Sequence, residues 1–287
     1  MSMTRKVAIA YRIYPKVSKV PPVYPDDKLK LSELCLKSLV DSMNKYCDYK
    51  FFAMLDNCPK EYEDLFRKYI PEDRLEIIHY PGIGNAGTFR EQMRILSEQK
   101  FAENVYFAED DYLYMPDQFN KMLEFIESGK KTDFVTPYDH KDYYQYELHK
   151  YKQKQIYYLE KKWKTVSTTC MTFMTNKSTL ERSRKVFATY LRNNYDASIW
   201  LSLTKLRAFD PKLYYYYLRQ FFKTRDTLFL RIFFKMWVFG AKQLLIGPQF
   251  KLWAAEPAIA THMESDFLAP NVDWLTQINK IKQEMEK

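Results

Sequence analysis

Asn104-Val105-Tyr106-Phe107-Ala108-Glu109-Asp110-Asp111 is the stretch on which the reading of the fold turns. Val105–Ala108 is a short apolar run of the kind a strand buried on both faces requires. It passes without a turn signal into three consecutive carboxylates. Working outward, short apolar runs alternate with segments of helical spacing. Val7–Ile13 is apolar and β-branched and reads as a first strand. Leu29–Met43 carries Leu31, Leu34, Cys35, Leu39 and Met43 at helical intervals. Tyr49–Leu55 is a second strand ending in Asp56-Asn57, and Pro59 opens a helix at a tolerated first-turn position. Leu75–Tyr80 is a third strand stopped by Pro81-Gly82, and Thr88–Gln99 is a helix. This alternation predicts an α/β domain, a Rossmann-like, mostly parallel sheet flanked by helices. Ligands of such sheets bind outside the carboxyl ends of the strands, where Glu109-Asp110-Asp111 would stand.

Beyond residue 130 the alternation weakens. Asp133–Pro137 and Val166–Thr175 read as strands, and Asp139–Lys164, rich in Tyr, Lys and Gln, reads as surface loops. Asp196–Lys205 is helical, Lys212–Ile246 is a basic, aromatic helical segment, and Glu256–Trp274 is a loop-rich closing piece. The charged tail after Asn279 is the one stretch whose composition suits disorder.

The chain has 287 residues, 46% of them apolar and 17% aromatic, enough for a substantial core. A net charge of +9 favours anionic partners without choosing among nucleotide phosphates, nucleic acid and an acidic membrane. Cys35, Cys47, Cys58 and Cys170 form no CxxC pair and no zinc-ligand spacing, which suits a reducing compartment. The N-terminal stretch MSMTRKVAIAYRIYP enters a strand pattern at once and does not read as a signal peptide. No apolar run approaches the ~18 residues of a membrane span. A cytoplasmic location is expected.

Three adjacent carboxylates repel one another unless a cation or donor groups offset them. Hard oxygen ligands suit magnesium or manganese, which also bind substrate phosphates; an acidic turn and helix cap before Pro116 is the plain alternative. No glycine occurs before Gly82. The first strand–helix turn therefore lacks the Gly-rich loop of a dinucleotide fold or P-loop, and equally the one that sugar nucleotidyltransferases place there.

With these residues in place the chain resembles the type-A glycosyltransferases, especially the family 2-like inverting enzymes. Glu109-Asp110-Asp111, followed by Pro116-Asp117-Gln118-Phe119, is similar to the variant DxD motif "EDD…PDFF" of N-acetylglucosaminyltransferase I-type enzymes. Asp56 resembles the acidic residue facing the donor's base. Gly84-Asn85-Ala86-Gly87 resembles an Asn-x-Gly loop, followed by a helix carrying Arg90. Arg12 matches an arginine placed near the nucleotide. The resemblance covers residues 5–205 and returns at 256–274. It implies that Asp111 binds a divalent metal (Mn2+ or Mg2+) and that Arg12, Asp56, Asn85, Arg90 and Asp110 hold a nucleotide-sugar donor, a UDP-sugar favoured. It further implies inverting transfer to a glycan or lipid-linked acceptor in polysaccharide assembly. The sequence departs from the family in having Glu109 for the first Asp, and only Asp196 where an acidic pair is usual. The expected organisation is a catalytic domain over 1–210, a basic aromatic helical segment over 211–255, and a C-terminal segment over 256–287 that returns to the active site.

Asp196, in YDASIWLSL, is the candidate general base for the acceptor hydroxyl or, equally, a helix N-cap. His262 follows a strand-like segment where many type-A enzymes bring a C-terminal histidine to the metal or diphosphate; a plain core or surface histidine is the alternative. His79, His140 and His149 read as structural or surface residues. Tyr138 and Trp163, with Tyr143 and Tyr144, could form an acceptor-stacking rim or ordinary packing. Thr224–Ile246 reads as an amphipathic helix whose wide apolar arc must be covered. An anionic membrane face, the catalytic domain or a second copy in a homo-oligomer could each cover it. A sugar nucleotidyltransferase is the rival enzyme. A basic nucleic-acid-binding protein is the rival of another class, supported by the Lys/Arg–Tyr/Phe mixture of 205–251; the acidic strand end opposes it, so no nucleic acid is expected.

Overall fold

The computed structural model describes residues 4–17, 19–43 and 47–286. Its strands are β1 (Arg5–Ile13), β2 (Cys47–Asp56), β3 (Leu75–Tyr80), β4 (Asn104–Glu109), β5 (Tyr112–Tyr114), β6 (Phe134–Thr136), β7 (Gln155–Tyr158), β8 (Lys161–Val166), β9 (Phe173–Asn176), β10 (Leu252–Glu256) and β11 (Ala260–His262). Its helices are α1 (Lys28–Ser42), α2 (Lys60–Tyr69), α3 (Gly84–Glu98), α4 (Phe119–Ile126), α5 (Asp142–Gln145), α6 (Lys177–Phe187), α7 (Asp196–Thr204), α8 (Pro211–Thr224), α9 (Leu228–Ile246) and α10 (Trp274–Met285). Nine strands form one sheet in the order β3-β2-β1-β4-β9-β6-β10-β8-β7, and β11 pairs with β5 in a small second sheet. β3, β2, β1 and β4 are parallel neighbours, and β6 is parallel to β10. Only β9 and β8 run against the rest, each antiparallel to both neighbours. The chain is thus an α/β fold with a mostly parallel central sheet, as the alternation predicts.

Period-two alternation explains why both faces of the sheet are covered. Val7, Ile9, Tyr11 and Ile13 of β1 enter one core with α1, α2, α4 and α10, while Ala8 and Ala10 enter the other with α3, α6 and α7. β2 splits likewise, Phe51, Ala53 and Leu55 against Phe52 and Met54. Each fully buried Val, Leu, Ile, Phe or Met side chain among these stabilises the fold by roughly 1.5–3 kcal/mol relative to exposure. A third cluster joins α7 to α8 and α9 through Leu201, Tyr217, Ile232, Phe233 and Met236. α9 lies close on α7 because small residues meet there. Ser198 Oγ donates to the Ile232 carbonyl at 2.8 Å, and a Cβ on Gly240 would stand 2.1 Å from Ser202 Oγ.

Several sequence expectations are corrected. Asp139–Lys164 is not all surface loop: β7 and β8 form a hairpin that extends the main sheet. Val166–Thr175 is two strand ends, β8 and β9, separated by residues 167–172. β10 enters the sheet between β6 and β8, so the helical segment ends before 252 instead of at 255. The tail after Asn279 continues α10, whose Ile278 and Ile281 are buried against the core. Thr224–Ile246 is interrupted by Arg225 in the left-handed region (φ 60°), and α9 begins at Leu228. Pro59 caps α2 from outside, one residue before its first turn. All four cysteines are free thiols. Among the described residues no helix is long and apolar enough to cross a membrane.

Candidate active site

The carboxyl ends of β1, β2 and β4 open onto a cavity of about 610 Å³ lined by Arg12, Lys16, Lys28, Asn85 and the acidic turn Glu109–Asp111. A wider hollow of about 700 Å³ borders Asp48, Lys50 and Arg74. It lies toward the amino ends of β2 and β3, away from the end of a parallel sheet where ligands bind.

Each carboxylate of the acidic turn has its own basic partner, brought from a distant part of the chain. Glu109 forms an ion pair with Arg12, which stands opposite it in the β1–β4 register. Its other oxygen accepts from Thr172 Oγ1 at 2.7 Å. Asp110 sits 2.8 Å from Lys28 Nζ at the start of α1 and accepts the Tyr14 backbone N–H at 3.1 Å. Burial drives the Asp110 carboxyl upward against the pull of Lys28. Asp111 Oδ2 lies 3.0 Å from His262 Nε2. At Asp111 burial is the largest single influence and acts upward, but the charge and hydrogen bond of His262, with the charges of Lys28 and Arg12, together outweigh it and hold the carboxyl down at about 2. An ionised carboxylate only accepts, so Nε2 carries the proton. Asp111 Oδ1 is buried without a hydrogen-bond partner among the described residues. The pairing of β11 with β5 sets His262 opposite Tyr112, and the Met263 N–H donates to the Asp111 carbonyl at 2.7 Å.

Asp56 is placed differently from the sequence expectation. Its Oδ1 accepts from the backbone N–H groups of Gly82 (2.9 Å) and Ile83 (2.7 Å), and its Oδ2 from that of Gly84 (2.8 Å). With 2% of its surface exposed, Asp56 builds the turn after β3 and does not reach outward toward a base. Gly82 (φ +92°) and Gly84 (φ +72°) supply the left-handed backbone that points three N–H groups at one carboxylate. Asn85 is not in a loop: it lies in the first turn of α3, where its carbonyl and side-chain oxygens both accept from Arg12. Its Nδ2 donates to Tyr190 Oη at 2.9 Å. Arg90 is absent from the cavity lining; it is exposed on α3 and pairs with Glu91 at 3.1 Å.

Asp196 is the first helical residue of α7, after Tyr195 at the N-cap position. Its Oδ1 accepts from the Ala197 N–H at 2.7 Å. Burial raises its carboxyl above the ordinary range, and the charge of Glu109 adds to this. The sequence reading missed Asp142 at the start of α5. Its Oδ1 has no hydrogen-bond partner among the described residues and stands 3.4 Å from His140 Nδ1. Burial and the neighbouring charge of Asp196 push this carboxyl up to about 6. Lys28, Tyr14 and Thr172 were missed as well. None carries a local signal, because each acquires its role only by lying beside the acidic turn.

Trp163 and Tyr138 do not form an acceptor rim. Trp163 is fully buried and stacked on Phe125 at 4.3 Å between ring centroids. It points into the core because its strand, β8, is a main-sheet strand. Tyr138 is 1% exposed, donates its hydroxyl to the Phe267 carbonyl and packs edge-on to Tyr112. Tyr144 is the exposed member of the group, with its hydroxyl on Asp139 (2.6 Å) and Lys164 (2.7 Å). Among the described residues no three His, Cys, Asp or Glu side chains are gathered so as to hold a metal ion by themselves.

No family model matches the chain, and no curated protein matches its sequence. Solved structures share its general plan at a low level. TarS 1–349 from S. aureus in complex with UDP is 13% identical with a TM-score of 0.45, covering 69% of this chain and 54% of that one. 4-Diphosphocytidyl-2C-methyl-D-erythritol synthase from Anaerococcus prevotii is 13% identical with a TM-score of 0.40, covering 69% and 82%. The mannosyltransferase PcManGT from Pyrobaculum calidifontis, in complex with GDP-Man and Mn2+, is 12% identical with a TM-score of 0.34, covering 45% and 34%. The chain spans about half the length of the TarS 1–349 structures it matches. At these identities and scores the likeness transfers no activity and no residue role to this chain.

Proposed function

We propose that this protein is a nucleotide-sugar glycosyltransferase that transfers a sugar from a nucleoside-diphosphate donor, a UDP-sugar favoured, to a glycan or lipid-linked acceptor hydroxyl. The observation that carries the reading is the cavity at the carboxyl ends of β1, β2 and β4, where Arg12, Lys16 and Lys28 face the same space as the acidic turn. Cations and carboxylates at one strand end suit a diphosphate beside an electrophilic sugar carbon. The sequence resemblance to type-A glycosyltransferases points the same way.

Asp111 and His262 are the proposed holders of a Mn2+ or Mg2+ ion. The fit rests on the partnerless, buried Asp111 Oδ1 and on the habit of these ions of taking one or two carboxylates, with substrate phosphates and water completing the shell. His262 would have to give up the Nε2 proton to join them. When bound, the ion supplies charge neutralisation of the leaving diphosphate. Arg12 and Lys28 add fixed positive charge at the same cavity. Asp196 is the proposed base. It takes the acceptor hydroxyl proton as that oxygen bonds to the anomeric carbon, and the nucleoside diphosphate departs with the electrons of the broken glycosidic bond. Burial suits this role by lifting the Asp196 carboxyl toward the working pH. Asp142 is the proposed second carboxyl of the acceptor side. Inversion follows from single displacement.

The test is a panel of UDP-, GDP- and CDP-sugars, scored for hydrolysis and thermal stabilisation with Mn2+, Mg2+ or chelator. Stabilisation by one nucleoside diphosphate family, lost in Asp111→Ala, is expected. Turnover of a sugar 1-phosphate with a nucleoside triphosphate, releasing pyrophosphate, would instead make the protein a nucleotidyltransferase.

A further inference from the structure

We propose that α8 and α9 form a helical hairpin that docks the protein on an anionic lipid membrane, a property independent of the reaction assigned to the active site. Tyr217 stacks on Phe229 at 4.0 Å, Tyr214 packs on Phe233 at 4.6 Å, and Trp237 Nε1 donates to Tyr214 Oη at 2.9 Å. Contacts move backward along α8 as they advance along α9, so the two helices are antiparallel. The inner face of α9 is settled: Ile232, Phe233, Met236, Gly240 and Leu244 are buried.

The outer face is not what a water-facing helix presents. Arg231, Phe234, Val238, Lys242 and Leu245 are all exposed, and at 3.6 residues per turn they share roughly a quarter of the circumference. Phe234 is 68% exposed, Leu245 66% and Ile246 75%. On α8, Tyr215, Leu218 and Phe222 make a second apolar stripe, Phe222 65% exposed, with Lys212, Arg219 and Lys223 alongside. Of the exposed large apolar side chains among the described residues, most fall between Phe209 and Ile246. Such a concentration marks an interaction surface.

Charge identifies the occupant. Residues 205–251 hold ten Lys and Arg against two Asp, while the other 240 residues hold 35 basic and 34 acidic side chains. Almost the whole net charge of +9 therefore sits on this segment. A second copy of the chain would bring like charge against like. Nucleic acid would engage the basic residues and stack on the aromatics, but Leu218, Val238, Leu245 and Ile246 offer no ring to a base. A bilayer surface takes all three kinds of side chain: aliphatics among the acyl chains, Tyr and Trp at the headgroups, Lys and Arg over anionic lipid. With three basic residues and 19 residues in all, α9 lies on such a surface and does not cross it.

The experiment is co-sedimentation of the full chain with vesicles of phosphatidylcholine alone or with phosphatidylglycerol, at low and high salt. Wild type should pellet with the anionic vesicles, release with salt, and stay in solution with the neutral ones. Arg231→Gln and Lys242→Gln should each weaken partition about fivefold, the equivalent of ~1 kcal/mol per surface charge. Phe222→Ser with Phe234→Ser should weaken it further, with an unchanged melting temperature confirming that the fold persists. Equal binding to both vesicle types, or to neither, overturns the proposal. So does a single-stranded oligonucleotide that strips the protein from anionic vesicles while the Phe222/Phe234 variant keeps wild-type vesicle binding. Self-association of wild type that the same variants abolish, without vesicle binding, would assign the face to a dimer.

Discussion

The acidic turn after β4 and the α8–α9 hairpin carry charge of opposite sign, and they handle it in opposite ways. At the turn, Glu109, Asp110 and Asp111 are half-buried, and each is matched to a separate base, Arg12, Lys28 and His262. On the hairpin, basic side chains are exposed and far outnumber acidic ones. The difference follows from desolvation. A charge removed from water costs several kcal/mol unless paired at close range, so a buried cluster can persist only with nearly complete matching. An exposed charge has no such constraint and acts over a Debye length, about 8–10 Å at ordinary salt. The first arrangement suits a short-range site for one ligand pose. The second suits a diffuse, salt-sensitive attraction to a surface.

That contrast can be broken or sharpened experimentally. The largest effect is expected at the turn. Asp111→Ala removes one acid of a matched pair and leaves the His262 proton without its acceptor. Transfer should fall below detection and nucleoside-diphosphate binding should weaken, whereas Lys242→Gln on the hairpin leaves both untouched in a soluble-acceptor assay. Equal losses from the two substitutions would show that the regions are not separate in function. Next comes Asp196→Asn, which keeps the shape and the Ala197 contact but cannot accept a proton. A fall in kcat of ~10²–10⁴ with unchanged donor binding is expected. A drop in thermal stability with normal turnover of the folded fraction would leave Asp196 a purely structural residue of α7.

A smaller effect concerns how the hairpin is seated. Gly240→Ala places a methyl group against Ser202, and overpacking of this kind costs about 1–3 kcal/mol. The α9 amides should exchange faster while those of β1 and β4 keep their protection. Uniform loss of protection would mean that the hairpin and the sheet unfold as one unit. The smallest effect is at Asp142. Its carboxyl is raised to about 6 in the fold, against ~3.9 in an unfolded chain. The folded form thus holds the proton more tightly, and this contribution, present in full below pH 4, is lost as pH rises through 6. Asp142→Asn removes the loss. It should melt a few degrees above wild type at pH 7 and show no such gain at pH 4. A gain independent of pH would mean that packing, not ionisation, separates the two proteins.

Local pattern by itself determined a good part of this protein. The alternation in Val7–Ile13 and Tyr49–Leu55 divides side chains between two cores because consecutive residues of a strand face opposite ways. The missing glycine in the first strand–helix turn is visible without coordinates, as is the acidic run at the end of an apolar strand. Tertiary structure decided the rest. Trp163 reads as a loop aromatic until β10 enters between β6 and β8 and draws β8 into the sheet; its ring then belongs to the core. Asp56 and Arg90 look outward in the sequence, yet one is consumed by a backbone turn and the other lies on the solvent face of α3. The partners of Glu109, Asp110 and Asp111 come from residues 12, 28 and 262. Such pairings depend on strand order and on where a helix begins relative to a distant turn. Those are set by the packing of the whole core, since periodicity says which face a side chain takes and nothing about what stands opposite.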